Sequence, residues 1–169
     1  MTDTTSPPGV STNWRELVAA YLPRLGHRNW IVIADAAYPA QSAPGIETIV
    51  TGAPLTEVAD VVFDGLKDAK HVRPLVLFDE ELAAVAEADA PGVTALRNSL
   101  KTRLKGLEVE RLPHKKIIRQ LADLGEVFEI LLLKTTLTIP YTTLFIRLEC
   151  GYWPEAAEKR LRRALRKKK

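Results

Sequence analysis

Leu25-Gly26-His27-Arg28-Asn29-Trp30-Ile31-Val32-Ile33-Ala34-Asp35-Ala36-Ala37-Tyr38-Pro39 is the stretch on which the fold turns. Its centre, Trp30 to Ala34, is an unbroken apolar run rich in β-branched residues and bounded by turn formers. Successive side chains of a strand point to opposite faces, so a run with no polar alternation predicts a strand covered on both sides. Gly26 ends whatever precedes it, and Asp35 with Pro39 opens a loop after it.

Working outward, Asn13 followed by Glu16 gives a capping-box-like start to a helix running to about Arg24, with Trp14, Leu17, Val18, Tyr21 and Leu22 on one face. Past the loop at Pro39, Pro44 and Gly45, Ile46 to Thr51 reads as a second strand. Thr56 is placed to cap a helix through about Lys67, and Pro74 to Phe78 reads as a strand. Two further helices are expected at about 79–88 and 92–104, a short strand at Val109 to Leu112, and a helix over about 114–124. Val127–Lys134 and Thr142–Leu148 are strong strand candidates on either side of Pro140. A last helix starts near Glu155, with Glu155–Lys159 and Glu158–Arg162 four apart in the favourable order. Strands alternating with helices argue a layered α/β or α+β domain.

The chain of 169 residues, 46% hydrophobic and 27% charged, suits one globular domain with a tail at each end. The expected division is a disordered tail over 1–11, a domain over 12–153 and a basic helix over 154–169. Residues 155–169 hold eight Lys and Arg against two Glu, so the net charge of +3 describes that end and the rest is mildly acidic. The start, Met1 to Val10, lacks the basic and then apolar pattern of a secretory signal, and the apolar stretches at Ile130–Leu133 and Leu144–Ile146 are far too short to span a bilayer. The single cysteine, Cys150, permits no internal disulfide and reads as a small buried residue beside a strand. Together these point to the cytoplasm. No Gly-rich phosphate loop, paired-cysteine zinc pattern or nucleophile elbow stands in the sequence.

Strand ends that feed loops are where α/β proteins place ligands. A carboxylate after four apolar residues, Asp35, is partly desolvated and needs a partner such as a sugar hydroxyl or a cation. His27 is the natural proton carrier near neutral pH. The bland alternative has His27 satisfying a turn carbonyl and Asp35 capping the next segment.

The order Gly26-His27, then Ile31-Val32-Ile33, then Asp35-Ala36 and Pro39-Ala40, resembles the N-terminal signature of the ribose pyranase/fucose mutarotase family (RbsD/FucU). Gln41-Ser42 is similar to the fucose mutarotase side of that family. Pro140-Tyr141-Thr142-Thr143-Leu144-Phe145 resembles the family's Pro-Tyr-x-Asn motif and the apolar strand after it, and Gly151 stands where the family has a near-terminal glycine. The resemblance spans roughly residues 12–151 and implies a single-domain α/β fold, a mostly parallel central sheet flanked by helices. It implies a cofactor-free, metal-free isomerase of carbohydrate metabolism that interconverts ring or anomeric forms of a fucose- or ribose-like monosaccharide.

In that scheme His27 is the catalytic acid/base, Asp35 binds sugar hydroxyls, His114 and Tyr141 complete the pocket, and Thr143 replaces the usual asparagine. The resemblance also implies a homo-oligomer, a pentamer or decamer with pockets at subunit contacts. The carbohydrate reading is staked on His27 facing Asp35 across one solvent-reachable cavity wide enough for a hexose; the two side chains in separate regions, with no hollow joining them, would sink it.

Asn29 stands where the family often has aspartate, and Thr136 and Leu137 where it has Gly-Glu. His114 alternatively reads as an exposed helix-start histidine beside Lys115 and Lys116, Tyr141 as a strand-start aromatic, and His71 as structural. The Thr136, Leu137 and Thr143 departures favour the alternative of a non-catalytic sugar-binding or regulatory module. For the basic end the alternatives are a solvated helix docked on the body, or contact with an anionic surface, membrane or nucleic acid. The absence of interleaved aromatic residues weakens base stacking.

Overall fold

Trp30–Ala34 forms β1, and all five of its residues are buried. The computed structural model describes residues 13–167, so the tail expected over 1–11 lies outside the described residues. β1 lies between β5 (Ile130–Lys134), parallel to it from Trp30↔Ile130 to Ala34↔Lys134, and β6 (Leu144–Cys150), antiparallel to it from Trp30↔Arg147 to Ile33↔Leu144. β2 (Ile46–Val50) extends the sheet beyond β5 in parallel. On the far side of β6, β3 (Val72–Asp79) pairs antiparallel to it, and β4 (Glu108–Leu112) pairs parallel to β3. The order is β2-β5-β1-β6-β3-β4. Only β6 runs against the others, so the sheet is mostly parallel as expected.

A parallel sheet needs cover on both faces, because its crossovers are helices. On one face Ile31, Ile33, Leu131, Leu133 and Ile146 pack with α1 (Trp14–Tyr21), α2 (Leu55–Asp68) and α3 (Val93–Arg103). On the other Trp30, Val32, Ile130, Leu132 and Phe145 pack with Ile117 and Leu121 of α4 (His114–Gly125). The alternation along β1 and β5 thus feeds two separate apolar layers, and both central strands are sealed.

Several boundaries differ from the expectation for local reasons. α1 gives way to a 3-10 turn at Leu22–Arg24, where Pro23 removes a backbone donor. α2 begins at Leu55 directly after extended Pro54, so Thr56 lies inside the helix and does not cap it. The helix expected over 79–88 is absent. β3 continues to Asp79, and Glu80–Ala84 makes only a 3-10 turn. Asp79 looks like a strand stop in sequence, yet it is buried and pairs in register with Leu112 of β4. Gly151 follows β6 where a Cβ would collide with the backbone of Lys70 and Val72.

α5 (Glu155–Arg166) has no buried residue. Its two expected pairs form, Glu155–Lys159 and Glu158–Arg162, each at 2.6 Å. The helix is not docked on the body: Leu161 and Leu165, the two large residues of its thin apolar stripe, stay exposed. Among the described residues no helix is long and apolar enough to cross a membrane.

Candidate functional site

The ends of β1 and β3, the loop before β6 and the start of α4 meet at one edge of the sheet. Asp35 follows β1 directly. Its Oδ1 accepts the Ala37 N–H at 2.9 Å and its carbonyl accepts the Tyr38 N–H at 3.3 Å, an Asx-type turn that fixes the carboxylate. The second oxygen is met by the Thr143 hydroxyl at 3.4 Å, a long contact for O–H···O and hence a weak one. The bland turn-capping role is therefore real, and it leaves Oδ2 loosely held.

His114 is the first residue of α4. A helix start leaves N–H groups without intrahelical partners. The His114 N–H donates to both Glu81 carboxylate oxygens, at 3.1 and 3.0 Å, a negative charge at the favourable end of the helix dipole. The imidazole Nδ1 lies 3.0 Å from Asp79 Oδ2. Its ring stands edge-on to Tyr141, with centroids 5.6 Å apart and planes at 85°. Tyr141 is a loop residue at φ 59°, the left-handed region that a bulky side chain rarely occupies. β6 starts only at Leu144, so the reading of Tyr141 as a strand-start aromatic does not hold. The Thr142 hydroxyl, donating 2.7 Å to the Ile139 carbonyl, braces the strained loop.

Asp35, His114 and Tyr141 line one cavity of about 470 Å³, with Ala36, Ala37, Thr138, Ile139 and Pro140 completing its wall. This is a volume typical of small-ligand sites. A carboxylate, an imidazole and a phenol facing one hollow can accept and donate hydrogen bonds to a polyhydroxylated ligand and move a proton on it. A groove of about 430 Å³ between α3 and β3/β4 has a largely apolar floor, and its Arg97 already donates to the Leu82, Ala83 and Val85 carbonyls. Asp79, Asn98, Lys101 and Arg111 also line it, but no histidine or tyrosine does.

Two expected site residues lie elsewhere. His27 occupies the turn before β1, at the opposite end of the strand from Asp35. Trp30 and Ala34 alone are about 13 Å apart at strand rise, and both residues lie beyond that span. His27 is half exposed, with Nδ1 3.5 Å from Glu149 Oε2, and does not line the cavity. The expectation of His27 facing Asp35 across one hollow is thus not met within a chain, because eight positions across an extended strand separate two groups. Thr143 is buried, lies outside the cavity wall and directs its hydroxyl to Asp35. Asn29 is committed to the turn: its amide oxygen accepts the Gly26 N–H at 2.7 Å and its nitrogen donates to the Glu129 carbonyl at 2.9 Å. The His71 ring meets the Leu25 carbonyl at 3.0 Å, a structural contact.

Asp79, the carboxylate held against His114, is not among the residues the sequence reading singles out. The signal was present, since Leu75-Val76-Leu77-Phe78-Asp79 repeats the pattern of apolar run and terminal aspartate that singles out Asp35. Burial pushes the Asp79 carboxyl above the usual carboxylate range, with its bond to His114 acting against that. Tyr38, buried beneath the site, has its phenol pushed up by burial first and then by the Asp79 and Asp35 charges.

Comparison with known proteins gives a consistent picture. Residues 15–147 match the model of the RbsD / FucU transport protein family. Bacillus subtilis RbsD complexed with D-ribose superposes with a TM-score of 0.54 at 19% identity, over 86% of this chain and 98% of that one. The fucose mutarotase of Streptococcus pneumoniae in complex with L-fucose does so at 0.53 and 17% identity, over 86% and 97%. FucU from Bifidobacterium longum gives 0.53 at 13% identity, over 79% and 94%. No curated protein matches the sequence. At these identities the structures establish a shared fold, while the family match covers most of the chain. With the six-stranded sheet and the loop site in place, the chain belongs to the RbsD / FucU family.

Proposed function

We propose that the chain binds a free monosaccharide in the cavity at Asp35, His114 and Tyr141 and interconverts its ring or anomeric forms by acid/base catalysis without a cofactor. The observation that carries this reading is the convergence of those three side chains on one hollow. The relatives that hold D-ribose and L-fucose give the substrate class, a ribose- or fucose-like sugar. In the reaction the anomeric hydroxyl gives up its proton, a carbonyl forms at the anomeric carbon, the bond to the ring oxygen breaks, and that oxygen takes a proton. Closure on the other face of the carbonyl, or through another hydroxyl, gives the second form. Placed acid and base groups supply roughly 10²–10⁴-fold for such a step.

His27 enters this scheme from a second copy. Half exposed and remote from its own chain's cavity, it reaches a pocket only across a subunit contact, in a homo-oligomeric ring of five or ten. Asp35 then holds sugar hydroxyls while Thr143 steadies Asp35.

NMR saturation transfer between anomers, run with and without the protein over fucose, ribose, galactose and related sugars, tests the reading. Enhanced exchange for one of them is expected; none across the panel would refute catalysis. Sugar binding without exchange would leave the second reading, a non-catalytic binding or regulatory module, which the replacement of a pocket amide by the inward-turned Thr143 favours.

A further inference from the structure

Asp79 is almost wholly buried at the end of β3, with its side chain 1% exposed. One carboxylate oxygen meets His114 Nδ1 at 3.0 Å, and the other has no hydrogen-bond partner among the described residues. Desolvating a carboxylate is unfavourable, and leaving one of its oxygens unpaired adds to the penalty. Leucine or valine would suit a strand end beside Leu77 and Phe78. Among the described residues the imidazole is the carboxylate's one hydrogen-bond partner, although Asp79 also lines the groove between α3 and β3/β4.

We propose that Asp79 is a positioning residue that holds His114 as its Nδ1–H tautomer, so that Nε2 presents a lone pair to the cavity as the base for the sugar's anomeric hydroxyl. The inference rests on the sugar reading above and adds a base to it. Asp79 itself touches no substrate.

The geometry argues this in three steps. Of a carboxylate and an imidazole sharing one proton, the imidazole is ordinarily the stronger base, so the proton sits on Nδ1 and the carboxylate accepts. With Nδ1 committed, Nε2 is the ring atom left for a ligand. The ring cannot turn freely either: Glu81 fixes the His114 backbone and Tyr141 packs edge-on against the imidazole. The charged and titratable groups around it are thus Asp79 from β3, Glu81 from the 3-10 turn, Asp35 from the loop after β1 and Tyr141 from the loop before β6. A second-layer carboxylate that fixes an imidazole's tautomer and orientation is a recurring way to keep a base ready.

The test reads the tautomer and the reaction separately. Two-bond ¹H–¹⁵N correlation spectra of the full chain, with His114→Gln identifying the His114 signals among three histidines, report which ring nitrogen is protonated in the neutral form. Protonated Nδ1 is expected; predominant Nε2–H overturns the proposal even if every Asp79 variant fails to fold. In Asp79→Asn the proton should move toward Nε2, and kcat for anomer exchange should fall about 10- to 100-fold with KM within about threefold. Equal loss in KM, or an unchanged tautomer, would mark Asp79 as merely structural. If the parent enhances exchange of no sugar, the sugar reading fails, and with it the base role of His114. The parent spectrum would still decide separately whether Asp79 fixes the tautomer.

Discussion

The two ends of β1 carry the same chemistry in different settings. At the start of the strand, half-exposed His27 and partly buried Glu149 stand 3.5 Å apart, with Arg147 holding the other Glu149 oxygen at 2.7 Å. At the far end, His114 and Asp79 stand 3.0 Å apart with the carboxylate sealed from water, and Asp35 and Tyr141 face the same hollow. An imidazole–carboxylate pair in water is a weak, screened contact, whereas the same pair with one partner buried directs the ring. The difference follows from topology. The end at which the parallel strands feed loops and the N-terminus of α4 is concave, while the turn at Gly26–Asn29 is locked by Asn29 into a convex corner. A convex imidazole acts on a ligand only if another molecule provides the hollow.

The sharpest way to break that contrast is subunit complementation. His27→Ala and Asp35→Ala should each lower anomer exchange by about 10²-fold or more. When the two are unfolded together and reassembled, a random mixture in a symmetric ring should regain roughly a quarter of the parent rate, from contacts that pair an intact His27 with an intact Asp35. Recovery would establish that the two ends of β1 serve one site in neighbouring copies. Full activity of His27→Ala alone would leave the concave end self-sufficient.

A smaller effect separates the two pairs by stability. The Asp79 carboxyl is held above its ordinary range chiefly by burial, so the folded state binds the proton more tightly than the unfolded state does. Between the ordinary carboxylate range and the raised folded value, stability must then fall as pH rises, and it levels off above that value. Asp79→Asn removes this loss. Its urea midpoint relative to the parent should climb through that window and stay higher at neutral pH, while exchange drops. A midpoint difference independent of pH would show that the carboxylate is not titrating in the fold.

How much of this was legible in sequence depends on which signal each residue carries. β1 was readable because burial on both faces leaves an unbroken apolar run, and Ile130–Leu133 and Leu144–Ile146 repeat it. Asp35, His114 and Tyr141, all marked by their sequence motifs, stand together in the cavity. His27 stands apart from them because nearness in sequence across an extended strand is distance in space. Asp79 was lost because an acidic residue before Glu80 and Glu81 reads as a helix start. Pairing with Leu112 of β4 keeps it inside the strand, and its side chain meets His114, 35 positions away. Thr143, just before β6, is buried, and its short hydroxyl side chain reaches Asp35 and does not line the hollow.

The least consequential change for the folded body should be removal of residues 155–169. α5 buries nothing, and its pairs Glu155–Lys159 and Glu158–Arg162 are local and exposed, so each adds only a few tenths of a kcal/mol to the helix itself. The truncated chain should unfold within about 0.5 kcal/mol of the parent and keep its sugar exchange. What it should lose is affinity for anionic surfaces. The helix carries six Lys and Arg over residues 159–167 with Leu161 and Leu165 uncovered, and each cation near an anionic lipid contributes about 1 kcal/mol at low salt. Sedimentation with phosphatidylglycerol vesicles at two salt concentrations measures that loss. A drop in stability or exchange on truncation would instead show that α5 packs on another subunit, tying the basic end to the convex side of the contrast drawn above.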